Sequence, residues 1–192
     1  MKKSVLILAM SIFSFLTVLN AQKVSEGIYL SANDFLQGKV SYVSDQNKTY
    51  KIYLHEAFNG TTIKIVSGES VIKLQKSAIF GYRDSRNVSY RYFNNVPYKI
   101  VNPAEQILLY SRMIPSGGLK SSHQVTEYFF SAKADEPLYP LSKYYLKTVL
   151  YDQVAFHKLL DVYIHSDEEL LAFDNTSKKY QINHIYELSK QQ

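Results

Sequence analysis

The chain has 192 residues, no cysteine and no tryptophan, with 46% hydrophobic and 20% charged residues. This composition supports a packed core and argues against disorder, while the missing thiols exclude disulfide staples and cysteine-centred chemistry. Its 22 lysines and arginines against 17 acids give a formal charge of +5, too diffuse for the basic footprint of a nucleic-acid binder.

At the N-terminus, Lys2 and Lys3 precede an apolar run from Val5 to Leu19, and Asn20-Ala21-Gln22 offers a small-residue cleavage point. This is the pattern of a signal peptide over residues 1–21. Ser11, Ser14 and Thr17 interrupt the run, which is shorter than the roughly 20 residues that span a bilayer. An exported product follows, periplasmic or extracellular, with no integral membrane span once the signal is removed. Cleavage takes away two lysines and lowers the charge to +3.

Ser31, a capping residue, then Asp34 and Gly38 predict one or two helical turns over 31–37. From Lys39 to about Ala132 short alternating runs are separated by turn residues, the pattern of an all-β sandwich or barrel. Asn59-Gly60 predicts a tight turn that makes Lys51–Phe58 and Thr61–Val66 antiparallel neighbours. Further strands are expected at 40–43, 70–76, 78–83, 88–93, 97–101, 106–112 and 124–131. Beyond Pro137 and Pro140 the apolar positions recur every three to four residues, which predicts helices over 141–151, 153–164, 167–173 and 178–189. Ser166 with Glu169 is a capping-box pattern, and Asp152 is placed to cap the second helix. The fold class is α+β: a β-rich module over 22–135, with a mainly antiparallel curled sheet or barrel of about seven to nine strands, then a helical subdomain over 136–192.

Three groups of residues carry possible chemistry. His157, Asp161 and His165 stack along one helical stripe where a metal could be gripped, although the same stripe is the polar face of an amphipathic helix. Arg83, Arg86 and Arg91 lie on and beside one turn with Tyr82 and Tyr90, a cluster suited to clamping a carboxylate or phosphate, or equally to pairing with a local acid such as Asp84. The 17 tyrosines suit half-buried strand surfaces and also suit sugar stacking or a protein contact. No Gly-x-Ser-x-Gly elbow, Gly-x-Gly-x-x-Gly loop or Walker-type loop is present, so neither a nucleophile elbow nor a nucleotide cofactor is expected. The balance is against an enzyme, with a site built from distant carboxylates left open.

The signal region, the stretch Gly27-Ile-Tyr-Leu-Ser-Ala-Asn-Asp-Phe-Leu-Gln-Gly-Lys39 and the stretch Ile79-Phe-Gly-Tyr-Arg-Asp84 resemble small exported proteins of unknown function from Bacteroidetes-type bacteria. The resemblance implies an envelope or secreted location and supplies no active site. Two functional readings follow. The first is a non-enzymatic protein that meets an envelope partner through its aromatic sheet face or C-terminal helices. The second is a binding module for a small molecule or glycan, seated in a barrel mouth or at the Arg83, Arg86 and Arg91 turn.

Overall fold

The computed structural model describes residues 25–44, 50–55, 60–116 and 123–191. The expected signal segment 1–21 and Asn59 of the expected turn lie outside the described residues. In chain order the described elements are β1 (Glu26–Tyr29), α1 (Ala32–Leu36), β2 (Ser41–Ser44), β3 (Lys51–Tyr53), β4 (Thr62–Ser67), β5 (Ser70–Gln75), β6 (Gly81–Arg83), β7 (Ser89–Phe93), β8 (Val96–Ile100), β9 (Leu108–Ser116) and β10 (His123–Ser131). They continue with β11 (Tyr139–Pro140), α2 (Lys143–Val149), α3 (Val154–Tyr163), β12 (Phe173–Asp174), β13 (Lys179–Tyr180) and α4 (Gln181–Ser189).

Antiparallel pairing builds an eight-stranded sheet in the order β11-β10-β9-β8-β7-β6-β1-β2, a three-stranded sheet β3-β4-β5 and the small ribbon β12-β13. The large sheet is open, with β2 and β11 as its edges, which corrects the barrel alternative. Both edges are built to stop pairing. A register shift disturbs the β1–β2 pairing, Tyr42 of β2 has φ of +53°, and Pro140 gives β11 no N–H to donate at that position. The expected pairing of the two runs around Asn59-Gly60 holds, since Ile52 faces Ile65 and Tyr53 faces Lys64.

Side chains alternate across a strand, so the register decides which residues share a face. One row runs in direct register through six strands: Ile28, Tyr82, Tyr90, Lys99, Ser111 and Tyr128. On this first face, at the β1 end, Ile63, Ile65, Ile72 and Leu74 of the small sheet pack on Ile28, Tyr82 and Tyr92. At the β9–β10 end the helices cover Leu109 and Phe130 with Leu146, Phe156, Leu160, Ile164, Leu170 and Ile185. The reverse face holds Tyr29, Tyr98, Ile100, Leu108 and Tyr110 under Phe35 of α1 and Ala134 and Leu138 of the following loop. Each fully buried aliphatic or aromatic side chain contributes roughly 1.5–3 kcal/mol. The middle of the first face, over β7 to β10, carries neither cover.

Caps follow the sequence only in part. Ser31 and Asp34 form a reciprocal capping box at α1, Ser31 Oγ accepting from Asp34 N at 3.1 Å and Asp34 Oδ2 accepting from Ser31 N at 3.1 Å. Asp152 does not cap α3. Its carboxylate accepts from the side chain of Gln153, which holds the cap position without a side-chain bond. Ser166 likewise makes no cap bond, its side chain meeting that of Glu168, and Glu169 accepts from the backbone N–H of His165 at 2.8 Å.

Candidate functional site

The five residues expected around the arginine turn are divided between the two faces of the sheet. Tyr82 and Tyr90 stand opposite each other on the first face and stack at 4.7 Å with an interplanar angle of 10°. Arg91 points the other way and is buried, donating to Tyr110 Oη at 3.2 Å and to the Glu136 carbonyl at 2.7 Å, beside the rings of Phe80 and Phe93. Arg83 donates to the Ser25 carbonyl at 3.0 Å. Arg86 is held by Asp84 Oδ2 at 3.0 Å and also reaches the Tyr90 side chain. The three guanidinium groups therefore do not form one clamp. Burial pushes the Asp84 carboxyl up, but hydrogen bonds from Val88 and Arg86 outweigh it and leave Asp84 below the usual carboxylate range.

His157, Asp161 and His165 are not brought together as ligands. His157 Nε2 is 2.8 Å from the Leu150 carbonyl, Asp161 is engaged by Lys147 at 2.6 Å and Lys143 at 3.4 Å, and His165 lies beyond the end of α3. No cluster of three His, Asp or Glu side chains suited to a metal occurs among the described residues. The helical stripe is the polar face, and its acid is neutralised by lysines from α2.

The strand row lines a trough of about 570 Å³ on the middle of the first face. Tyr90, Lys99, Ser111 and Tyr128 lie along it in register, and Pro97, Met113 and Thr126 form the adjoining row. Tyr90 and Tyr128 are three strand spacings apart, about 14 Å. The two-residue turn Asn94-Asn95, with both residues at positive φ (51° and 64°), sets this register by pairing Phe93 with Val96. The same turn brings Asn95 to the rim, where its side-chain oxygen is buried with no hydrogen-bond partner among the described residues.

Among the described lining residues the formal charge is of one sign. They include Lys76, Lys99 and Arg112 and no Asp, Glu or His. Lys76 is 1% exposed and holds its ammonium 5.2 Å from the Tyr92 ring centre. Arg112 places its guanidinium 5.7 Å from the ring of Tyr98, a reverse-face residue, so the exposed Lys99 carries the charge over the floor. Residues 50–99 contain eight lysines and arginines against three acids, which sets the basic field of this half of the molecule. Two carboxyls titrate above their ordinary range, Glu105 through burial and Glu26 through burial and the nearby charge of Asp84. Neither lines the trough.

Comparison with protein-family models, curated proteins and solved structures finds no match. The functional reading therefore stands on the geometry. Among the described residues no helix is long and apolar enough to cross a membrane.

Proposed function

We propose that this chain is an exported, non-enzymatic binding protein. Its site is the trough over β7 to β10, and its ligand is a hydroxyl-rich molecule with negative charge, the chemistry of an acidic sugar. The observation that carries this reading is the row Tyr90, Lys99, Ser111 and Tyr128, which lines the trough from the margin of the small-sheet cluster at Tyr90 to Tyr128. Tyrosine rings offer flat apolar surface with a polar edge, Ser111 and Thr126 offer hydroxyl partners, and Lys99 offers compensation for an anion. A general acid or base is missing from the described lining. Lys99 stands opposite Ser111 but is exposed, without the burial that makes a lysine a catalytic base. Export and the envelope location are supported by the signal pattern at residues 1–21.

The test is a nuclear magnetic resonance titration with a tetrasaccharide of uronic acids, with a neutral tetrasaccharide as comparator. Signals of Tyr90, Lys99, Ser111 and Tyr128 should shift together, and Tyr128→Ala and Lys99→Gln should each weaken binding about tenfold, a loss of roughly 1.4 kcal/mol. Absence of shifts at millimolar ligand would refute the reading, and equal affinity for the neutral sugar would remove its anionic part.

A second reading, docking to an envelope protein, is favoured by exposed apolar side chains on and beside α2 and α3, where Tyr144 is 72% and Tyr151 77% exposed and Val154, Val162 and Tyr163 are also exposed. Large aromatic residues in such positions are common anchors of interfaces. Crosslinking in the native envelope should then yield a partner that the Tyr144→Ser/Tyr151→Ser variant loses.

A further inference from the structure

We infer that the outer face of the small sheet β3-β4-β5 is a second anion-binding surface, and that its occupant is a stretch of acidic polysaccharide. The identity of the polymer as a sugar rests on the trough reading; the charge argument does not. Strand alternation sends Ile52, Ile63, Ile65, Ile72 and Leu74 inward to the core. The opposite side chains, Lys51 and Tyr53 of β3, Lys64 of β4 and Lys73 of β5, therefore face outward. Register places Tyr53, Lys64 and Lys73 in one row, so two lysines stand directly across from each other. Like charges in that position destabilise a sheet. Among the described residues no salt bridge joins Lys51, Lys64 or Lys73 to an acid.

A lysine on an edge strand has an ordinary purpose, because it blocks pairing with another chain. That explains Lys51 and Lys73, which sit on the edge strands β3 and β5. It does not explain Lys64, which sits on the central strand β4 with both neighbours already paired. The face is also concave, forming a hollow of about 630 Å³ lined by His55, Gly60, Thr62, Lys64, Val71 and Lys73. Tyr53 supports the arrangement, with the Lys64 ammonium 5.9 Å from its ring centre. Lys64 and Lys73 stand one strand spacing apart, about 4.8 Å, and Lys51 lies diagonally beyond them on β3, a spread that matches repeated anionic groups along a chain better than one small ion. The hollow favours a chain over a flat bilayer surface, which would meet only its rim.

The experiment measures binding of the full chain to immobilised alginate, a polyuronate, as a function of salt. Lys64→Gln/Lys73→Gln should elute at lower salt, with the slope of log affinity against log salt reduced by roughly one to two. Its affinity for the uronic acid tetrasaccharide in the trough should be unchanged, which also shows that the variant is folded. Lys73→Gln alone should raise Tm in the absence of polymer, because the opposed charge is relieved. The exposed control Lys158→Gln should elute with the parent. Identical salt dependence of parent and double variant overturns the inference, as does an equal loss in Lys158→Gln. Sedimentation with phosphatidylglycerol vesicles that the double variant loses, with alginate binding intact, replaces the polysaccharide by a lipid surface. If Lys99→Gln leaves tetrasaccharide binding untouched while the double variant loses alginate, the trough reading fails and this one stands.

Discussion

Asn183 is a sharp test of how the helices are fixed to the sheet. It is 2% exposed on α4 and holds Ile107, 76 residues away, by both backbone groups. The Ile107 N–H donates to Asn183 Oδ1 at 2.9 Å, and Asn183 Nδ2 donates to the Ile107 carbonyl at 2.9 Å. The two bonds are unequal in consequence. The carbonyl also accepts from Asn102 Nδ2 at 2.8 Å, so it remains satisfied when Asn183 is lost. The N–H has no other acceptor among the described residues. Asn183→Leu keeps the four-atom branched shape of the side chain and strands that donor, costing about 1–3 kcal/mol, and loss of the second bond adds about 1 kcal/mol. A total near 3 kcal/mol lowers Tm by roughly 6–12 °C in a chain of this size. Urea unfolding followed by tyrosine fluorescence measures it. Asn183→Asp is the diagnostic companion: it keeps an acceptor for Ile107 but buries a carboxylate against the Ile107 carbonyl, so its stability should recover as pH falls and the acid is protonated. A loss under about 1 kcal/mol for Asn183→Leu would show that water reaches Ile107 and that this network is not what holds α4.

Gly81→Ala would place a Cβ 1.9 Å from the Tyr90 carbonyl oxygen and 2.9 Å from Arg91 Cα. Both are backbone atoms of β7, so the strands must part, and a loss of at least about 3 kcal/mol in the urea midpoint is expected; a neutral variant would show that β6 and β7 are not this close. Burial raises the Glu105 carboxyl, so the cost of its charge at neutral pH is recovered as pH falls through the folded-state value toward the unfolded one. Glu105→Gln should accordingly be more stable than the parent at pH 7 and indistinguishable from it near pH 4, and the opposite ordering would contradict the burial argument. Asp174 is held at about 2 by the Ser177 hydroxyl and the Thr176 N–H. Its contribution to the β12–β13 turn is present above the ordinary carboxylate value and fades as pH falls toward 2; a carboxyl titration midpoint close to 4 would rule this out.

Local chemistry made part of this fold readable. Ser31, Asp34 and Gly38 announced α1 because a cap, an acid and a positive φ are properties of neighbouring residues. The 3.6-residue pattern announced α2, α3 and α4. β1 escaped because Gly27, Ile28 and Tyr29 are buried on both faces, so no polar alternation marks them. The strand expected over 106–112 runs on through Pro115 to Ser116, because the β8–β9 pairing involves Lys99 and Ile100 with Ser111 and Tyr110 and leaves the Pro115 end paired to β10 alone. Openness of the sheet was not readable, since closure depends on whether two distant edges meet. The arginine turn attracted notice through sequence proximity, whereas alternation separates its members in space. The trough takes one residue from each of several strands, and only the register set by turns such as Asn94-Asn95 reveals Lys99 beside Tyr90.

The strand β1 stands between β6 and β2 although it comes first among the described strands. β6 to β10 form a meander whose neighbours are consecutive in the chain, so hairpin by hairpin they zip up at small entropic cost. Ile28 must instead find Tyr82, more than 50 positions later, and that loop is expensive to close. This topology predicts assembly from the meander outward, with β1 docking late on the edge of β6. The expected cleavage point after Ala21 lies just upstream of this late strand. A chain held there would be slow to close its sheet, so if the chain is cleaved after Ala21, release and the last stage of folding would coincide. Slower refolding of a chain anchored at residue 21 is the observable sign of that coupling, and equal rates for anchored and free chains would dissolve it.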